Sequence, residues 1–214
     1  MNNTLLPRTD LPEFLTAFAA MHDAMCRDAD RLVQAAPRAT ATDLRPLHPW
    51  WIKFEQTIVH HHEREDHVVF PRLADRAASF EAARQQLHED HEELDRTMAA
   101  LGGAIERADV DGFGTASVVF RDVLVDHLGR EETVVFPALV EHLGAEEFTA
   151  IEHEMQEGTS MRHMAFELPW ALEGTGERMD AMVAELLPAP VRFLNRVVFT
   201  PRYRRLSAPL AAAS

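Results

Sequence analysis

Cysteine, lysine and tyrosine are nearly missing from this chain: Cys26, Lys53 and Tyr203 are each the sole residue of their kind among 214. One thiol cannot form a disulfide framework, nor can it supply the several thiolates of a structural zinc site. Basic charge is scarce as well, with 21 Lys and Arg against 35 Asp and Glu and a net charge of −14. That balance excludes a nucleic-acid binder, which needs a basic face to displace counterions. No stretch approaches the roughly 18 consecutive apolar residues of a membrane-spanning helix. The opening MNNTLLPRTDLPEF has neither the basic nor the long apolar region of a secretory signal, so a cytoplasmic location is expected. Arginine in place of lysine, together with abundant alanine, is the bias expected of a GC-rich bacterial genome.

Period-2 alternation is the last absence, and it excludes a sheet; spacings of three and four recur instead. A first helix follows Asp10-x-x-Glu13 with the stripe Leu15, Phe18, His22, Met25, Ala29, Leu32. A second, starting near Pro46 to Pro49, carries Phe54, Ile58, His61, Glu65 and Val68, with Pro71 expected to kink its last turns. The third carries Phe80, Leu87, His91, Leu94, Met98, Leu101 and Ile105. After a turn at 109–114, the fourth carries Phe120, Leu124, His127, Glu131 and Val134. The expected fold is therefore all-α: an up-down-up-down four-helix bundle over residues 1–144, with a helical extension over 145–214. From Pro188 onward there are five arginines and no acid, so the net charge divides into −19 and +5. That basic tail is expected to fold back on the acidic bundle, with contact to a membrane surface as the alternative.

What is plentiful is histidine, twelve in all, and its placement follows a repeat. An offset of 66 lays Phe54 on Phe120, Ile58 on Leu124, His61 on His127, Glu65 on Glu131, and VVFP at 68–71 on VVFP at 134–137. An offset of 69 lays His22 on His91, Met25 on Leu94 and Leu32 on Leu101. Two helical hairpins thus each supply a lone histidine and one His-x-x-x-Glu pair, all on stripes that should be buried.

Residues i and i+4 share a helix face about 6 Å apart. His61 with Glu65, and His127 with Glu131, therefore present a nitrogen and a carboxylate to one site; His22 and His91 make four imidazoles. Two buried carboxylates without partners would each cost several kcal/mol or bind protons. Two divalent cations remove that cost, with the glutamates as natural bridges. Imidazole and carboxylate without thiolate suit iron, and manganese or zinc less distinctively. The Glu-x-x-His pairs of ferritin-like di-iron bundles are absent.

The motifs EREDHVVFP and EETVVFP and the order of the histidines resemble the hemerythrin-like proteins, or HHE cation-binding domains, over roughly residues 10–143. The resemblance implies a carboxylate-bridged di-iron centre with terminal histidines and a position open to dioxygen, peroxide or nitric oxide. It puts His22, His61, Glu65, His91, His127 and Glu131 at ligand positions. Leu87 stands where the oxygen carriers of the family have a further histidine, which leaves His88 and His62 as candidates for an additional ligand. Asp66 and Glu132 rival Glu65 and Glu131 in the same way. Any turnover would be peroxide breakdown or reduction of a small oxidant; the other reading is an iron or redox sensor that signals through the C-terminal helices.

Overall fold

In the computed structural model, which describes residues 5–156, 160–176, 179, 182–183 and 187–213, the three-and-four spacing becomes helix almost throughout, and no strand occurs among the described residues. Helix α1 spans Thr16–Ala35 and α2 spans Ala41–Arg64. A π-helical turn, Glu65–Val69, joins α2 to the short α3, Phe70–Arg76. Helices α4 and α5 span Phe80–Glu106 and Val110–His142. The remaining chain forms α6 (Gly144–Gln156), α7 (Met161–Ala171), α8 (Ala189–Leu194) and α9 (Thr200–Ala213), the last two joined by a second π turn, Asn195–Phe199. The helix expected around 177–186 lies largely outside the described residues.

Several boundaries differ from the sequence reading for local reasons. Helix α2 begins at Ala41, ahead of Pro46 and Pro49, because Thr40 and Asp43 form a capping box in which the Thr40 amide donates to Asp43 Oδ2 at 2.8 Å. Helix α5 begins at Val110 because Asp109 Oδ1 accepts from the Gly112 amide at 3.0 Å. A Cβ at position 112 would stand 2.4 Å from the Asp109 carboxylate, which would have to turn aside to admit it. Before α1, 3₁₀ turns at Arg8–Asp10 and Glu13–Leu15 replace the first helical turns, with Pro12 between them.

The π turn lies just ahead of Pro71, whereas the equivalent Pro137 sits within the unbroken α5. Proline has no N–H to give the carbonyl four residues back, and its ring clashes with that carbonyl. Widening the preceding turn relieves both problems, and at Pro71 the Phe70 amide donates to Glu65 O, five residues back. The second π turn precedes Pro201 in the same manner, with the Thr200 amide donating to Asn195 O.

Two apolar clusters form the interior. The larger unites Met25 and Leu32 of α1, Trp50, Trp51, Phe54 and Ile58 of α2, Leu94, Met98 and Leu101 of α4, and Phe113, Phe120 and Leu124 of α5. Phe166 and Trp170 of α7 and Tyr203 and Leu210 of α9 complete it. The second gathers Leu15, Phe18, Val69, Phe70, Leu73, Leu87, Val135, Phe136 and Leu139, closed by Phe148 and Ile151 of α6. Each fully buried large side chain contributes about 1.5–3 kcal/mol, so the C-terminal helices are held by the same apolar burial as the bundle. The tail buries Phe199, Tyr203 and Leu210 and leaves Phe193 and Val197 exposed. No described helix is long and apolar enough to cross a membrane.

Candidate metal centre

Between the two apolar clusters lies a layer of buried polar side chains. Helix α1 supplies His22, α2 supplies His61 and His62, the π turn supplies Glu65, α4 supplies His91, and α5 supplies His127 and Glu131. The i,i+4 relation places His61 Nε2 2.9 Å from Glu65 Oε1, and His127 Nε2 3.6 Å from Glu131 Oε2. Across helices, His22 Nε2 is 3.2 Å from His61 Nε2 and 3.6 Å from Glu131 Oε2. The rings of His62 and His91 stack at 4.0 Å, and His91 Nε2 lies 3.7 Å from Glu65 Oε2.

The layer thereby divides into two groups with converging ligand atoms: His22, His61, Glu65 and Glu131 in one, and His62, His91 and His127 in the other. Both carboxylates stand between the groups. Glu65 turns one oxygen towards His61 and the other towards His91. Glu131 Oε2 is equidistant, at 3.6 Å, from His22 and His127.

Without a cation this arrangement is electrostatically poor. Glu65 and Glu131 are 0% exposed, and their oxygens have no hydrogen-bond partner, nor do His62 Nε2, His91 Nε2 and His127 Nε2. Burial pushes the Glu65 carboxyl up to about 8. Burial and the neighbouring Glu65 raise Glu131 well above the carboxylate range. Burial also holds His61 and His127 down to about 4, and drives His62 well below its ordinary value, helped by His91 and His127. Two acids that resist ionisation and neutral imidazoles with free lone pairs are the donor set a divalent cation satisfies.

A family model described as the hemerythrin HHE cation-binding domain matches residues 14–139, more than half of the chain. The chain belongs to that family. No curated protein and no solved structure matches it. It is thus a metal-binding helical protein, and its His and Glu clusters are where a cation fits.

In this HHE domain the candidates that sequence alone left open take different places. His62 joins the interior, whereas His88, with 61% of its side chain exposed, lies outside and meets Asp66 Oδ2 at 3.4 Å. Asp66 and Glu132 lie behind the histidines. Glu132 Oε1 accepts from His22 Nδ1 at 2.9 Å, and Asp66 Oδ2 accepts from His91 Nδ1 at 3.1 Å. Asp90 lies 3.8 Å from His127 Nδ1 and is tied to Arg130. An imidazole that donates its Nδ1 hydrogen presents Nε2 as a bare lone pair, the form that binds a cation. Burial works against the charge of Glu132, but hydrogen bonds from His22 and Arg8 hold its carboxyl down to about 2.

Sequence reasoning missed the orienting role of Asp66 and Glu132, and it missed Arg8 altogether. The available signal was the pair Asp66 and Glu132 at the 66-residue offset. The rings against the layer are Phe18 and Phe136, which flank His22, and Phe70, which stacks on His91 at 6.1 Å. Phe54, Ile58, Leu94, Phe120 and Leu124 belong to the larger apolar cluster. Of the other histidines, His60 pairs with Glu63 and His163 with Glu167. Burial raises the Cys26 thiol to about 12, and Cys26 belongs to none of the converging ligand groups among the described residues.

Proposed function

We propose that the protein is a cytoplasmic non-haem di-iron protein that binds or reacts with dioxygen, peroxide or nitric oxide. The observation that carries the reading is the pair of buried, unpartnered carboxylates between two groups of histidines. His22 and His61 would hold one cation and His62, His91 and His127 the other, with Glu65 and Glu131 shared. His88 is left out of this set. Iron suits imidazole and carboxylate donors; manganese and zinc satisfy them less distinctively. Two iron ions bound there supply Lewis acidity and two redox equivalents to a small oxidant.

The chain's own residues prepare that chemistry. Glu132 and Asp66 keep the Nδ1 hydrogens on His22 and His91, which fixes both rings with Nε2 facing inward. Phe18, Phe136 and Phe70 exclude water from the layer. The burial of the layer behind these rings favours a small ligand over an extended substrate.

The test is anaerobic loading with ferrous iron, followed by metal analysis and optical spectra under dioxygen, peroxide and nitric oxide. About two ions per chain and a new absorption with at least one of the three are expected. Fewer than one ion per chain, or full retention in His61→Ala/His127→Ala, would sink the reading.

A second reading, a non-catalytic sensor, is favoured by one contact. Helix α1 carries both His22 and Asp28, and Asp28 Oδ2 accepts from Trp170 Nε1 of α7 at 2.8 Å. Metal state would then be passed along α1 to residues 145–214, acting as a separate reporting part. Metal-dependent protection of that part from protease, without peroxide turnover, distinguishes the sensor.

A further inference from the structure

Glu132 is 0% exposed and carries four hydrogen bonds on two oxygens. Its Oε1 accepts from His22 Nδ1 at 2.9 Å and from Arg8 Nη2 at 2.8 Å. Its Oε2 accepts from Arg8 Nη1 at 2.8 Å and from the Leu6 amide at 2.7 Å. The other edge of the same guanidinium grips Asp23, next to His22 on α1, with Nη2 at 2.8 Å and Nε at 3.0 Å. Arg8 therefore staples α5 to α1 at the point where His22 is held. The segment bearing Arg8 is anchored in turn, since Leu6 and Leu11 pack against the smaller apolar cluster.

The other side is built differently. Asp66, at the position equivalent to Glu132, also accepts from the lone histidine of the opposite hairpin, but its second donor is the exposed His88. Asp66 is itself 23% exposed on its side chain. Water can replace a donor there, whereas at Glu132 any withdrawal of His22 leaves a buried, charge-assisted acceptor short of a partner.

We infer that Arg8 is a positioning residue that locks His22 through Glu132, so that a cation on the His22–His61 side leaves more slowly than one on the His62–His91–His127 side. The inference rests on the di-metal reading above, and it deepens that reading by making the two positions unequal. It assigns the N-terminal segment the role of a retaining strap.

The test is release of ferrous iron from the full chain, loaded anaerobically and mixed with excess chromogenic chelator. The unmodified protein should release iron in two phases. Arg8→Ala should accelerate the slow phase about 10–100-fold, the range typical for loss of a residue that orients a metal ligand, with the fast phase unchanged. Arg8→Lys should fall between, because an ammonium cannot grip two carboxylates through two edges. Asp23→Asn, at a half-exposed position, removes the second grip only and should accelerate the slow phase by a smaller factor, which keeps the inference testable should Arg8→Ala fold poorly. His88→Ala should alter the fast phase alone. A single release phase in the unmodified protein overturns the lock, as do Arg8 variants that leave the slow phase unchanged or speed both phases equally. Failure to take up two ions at all overturns the di-metal reading beneath it, and that is read from the loading step before any release is measured.

Discussion

Asp66 and Glu132 occupy equivalent positions of the internal repeat, and each accepts the Nδ1 hydrogen of the lone histidine from the opposite hairpin. Glu132 serves His22 at 2.9 Å and Asp66 serves His91 at 3.1 Å. The hairpins are thus joined by exchanged hydrogen bonds behind the candidate ligands, and the two bonds are unequal in burial. Glu132→Gln is expected to weaken cation binding about 10–100-fold. Asp66→Asn should weaken it less, because water reaches the partly exposed Asp66. Competitive titration with zinc against a fluorescent indicator measures both, and equal losses would contradict the asymmetry.

The metal-free protein should lose stability between about pH 6.5 and pH 8, the ordinary histidine value and the raised value of Glu65. A carboxyl whose folded pKa is raised contributes stability that is full below its unfolded pKa and is lost as pH rises through the folded one. Glu65 and Glu131 both act in that direction. His61 and His127 are depressed to about 4, so their contribution is present above about 6.5 and lost as pH falls through 4. The two effects oppose each other below pH 6.5, and only the carboxyl effect remains above it. Melting temperatures of chelator-treated protein should therefore fall from pH 6.5 to 8. The rise in melting temperature produced by added metal should grow over the same range, since cations bind the deprotonated carboxylates. A metal-induced rise that shrinks towards pH 8 would refute the assignment of Glu65 and Glu131 as ligands.

The repeat made the candidate site legible because a buried polar layer is a violation of pattern. Histidine and glutamate on an apolar stripe stand out in sequence, and register links His22 with His91 and His61 with His127. The all-helical class followed from the same periodicity. What escaped depended on direction within one turn. Neighbours such as His61 and His62 differ by about 100° around a helix, yet α2 sits where both angles reach the interior, one towards α1 and the other towards α4 and α5. Side-chain direction likewise sends His88 out to Asp66, one turn from where His91 points in. The role of Arg8 joins residues 124 apart, and no local pattern encodes such a contact. The early start of α2 was hidden by Pro46 and Pro49; the helix runs through both, capped by the Thr40–Asp43 box and burying Leu44, Leu47, Trp50 and Trp51.

Asp28 ties the bundle to the C-terminal helices. It is fully buried and accepts from Trp170 Nε1 at 2.8 Å, Arg27 Nε at 3.0 Å and Arg31 Nη1 at 2.9 Å. Glu173 bonds Arg31 at 3.0 Å and Tyr203 Oη at 2.6 Å, extending the tie to α9. Trp170→Phe keeps most of the apolar contact and deletes one donor to a buried charge, which should destabilise the protein by about 1.5–3 kcal/mol. Urea denaturation measures that loss. Proteolysis should cut first within residues 145–214 in the variant, and first cleavage in the bundle instead would contradict the tie.

His62 and His88 give the sharpest test of the ligand set, because sequence left them equal. The ring of His62 stacks on His91 at 4.0 Å, 5.1 Å from His127, and its Nε2 has no partner. Truncating it removes one of the three imidazoles on that side and leaves the His22–His61 side complete. His62→Ala should therefore retain about one ion per chain after anaerobic iron loading, where the unmodified protein holds about two. His88→Ala should retain both, since its imidazole faces solvent and meets only Asp66 Oδ2, which keeps its shorter bond to His91 without it. Metal analysis after gel filtration decides between them. Loss of an ion from His88→Ala with none from His62→Ala would reverse the assignment and move the second cation out towards the Asp66–His88–His91 group.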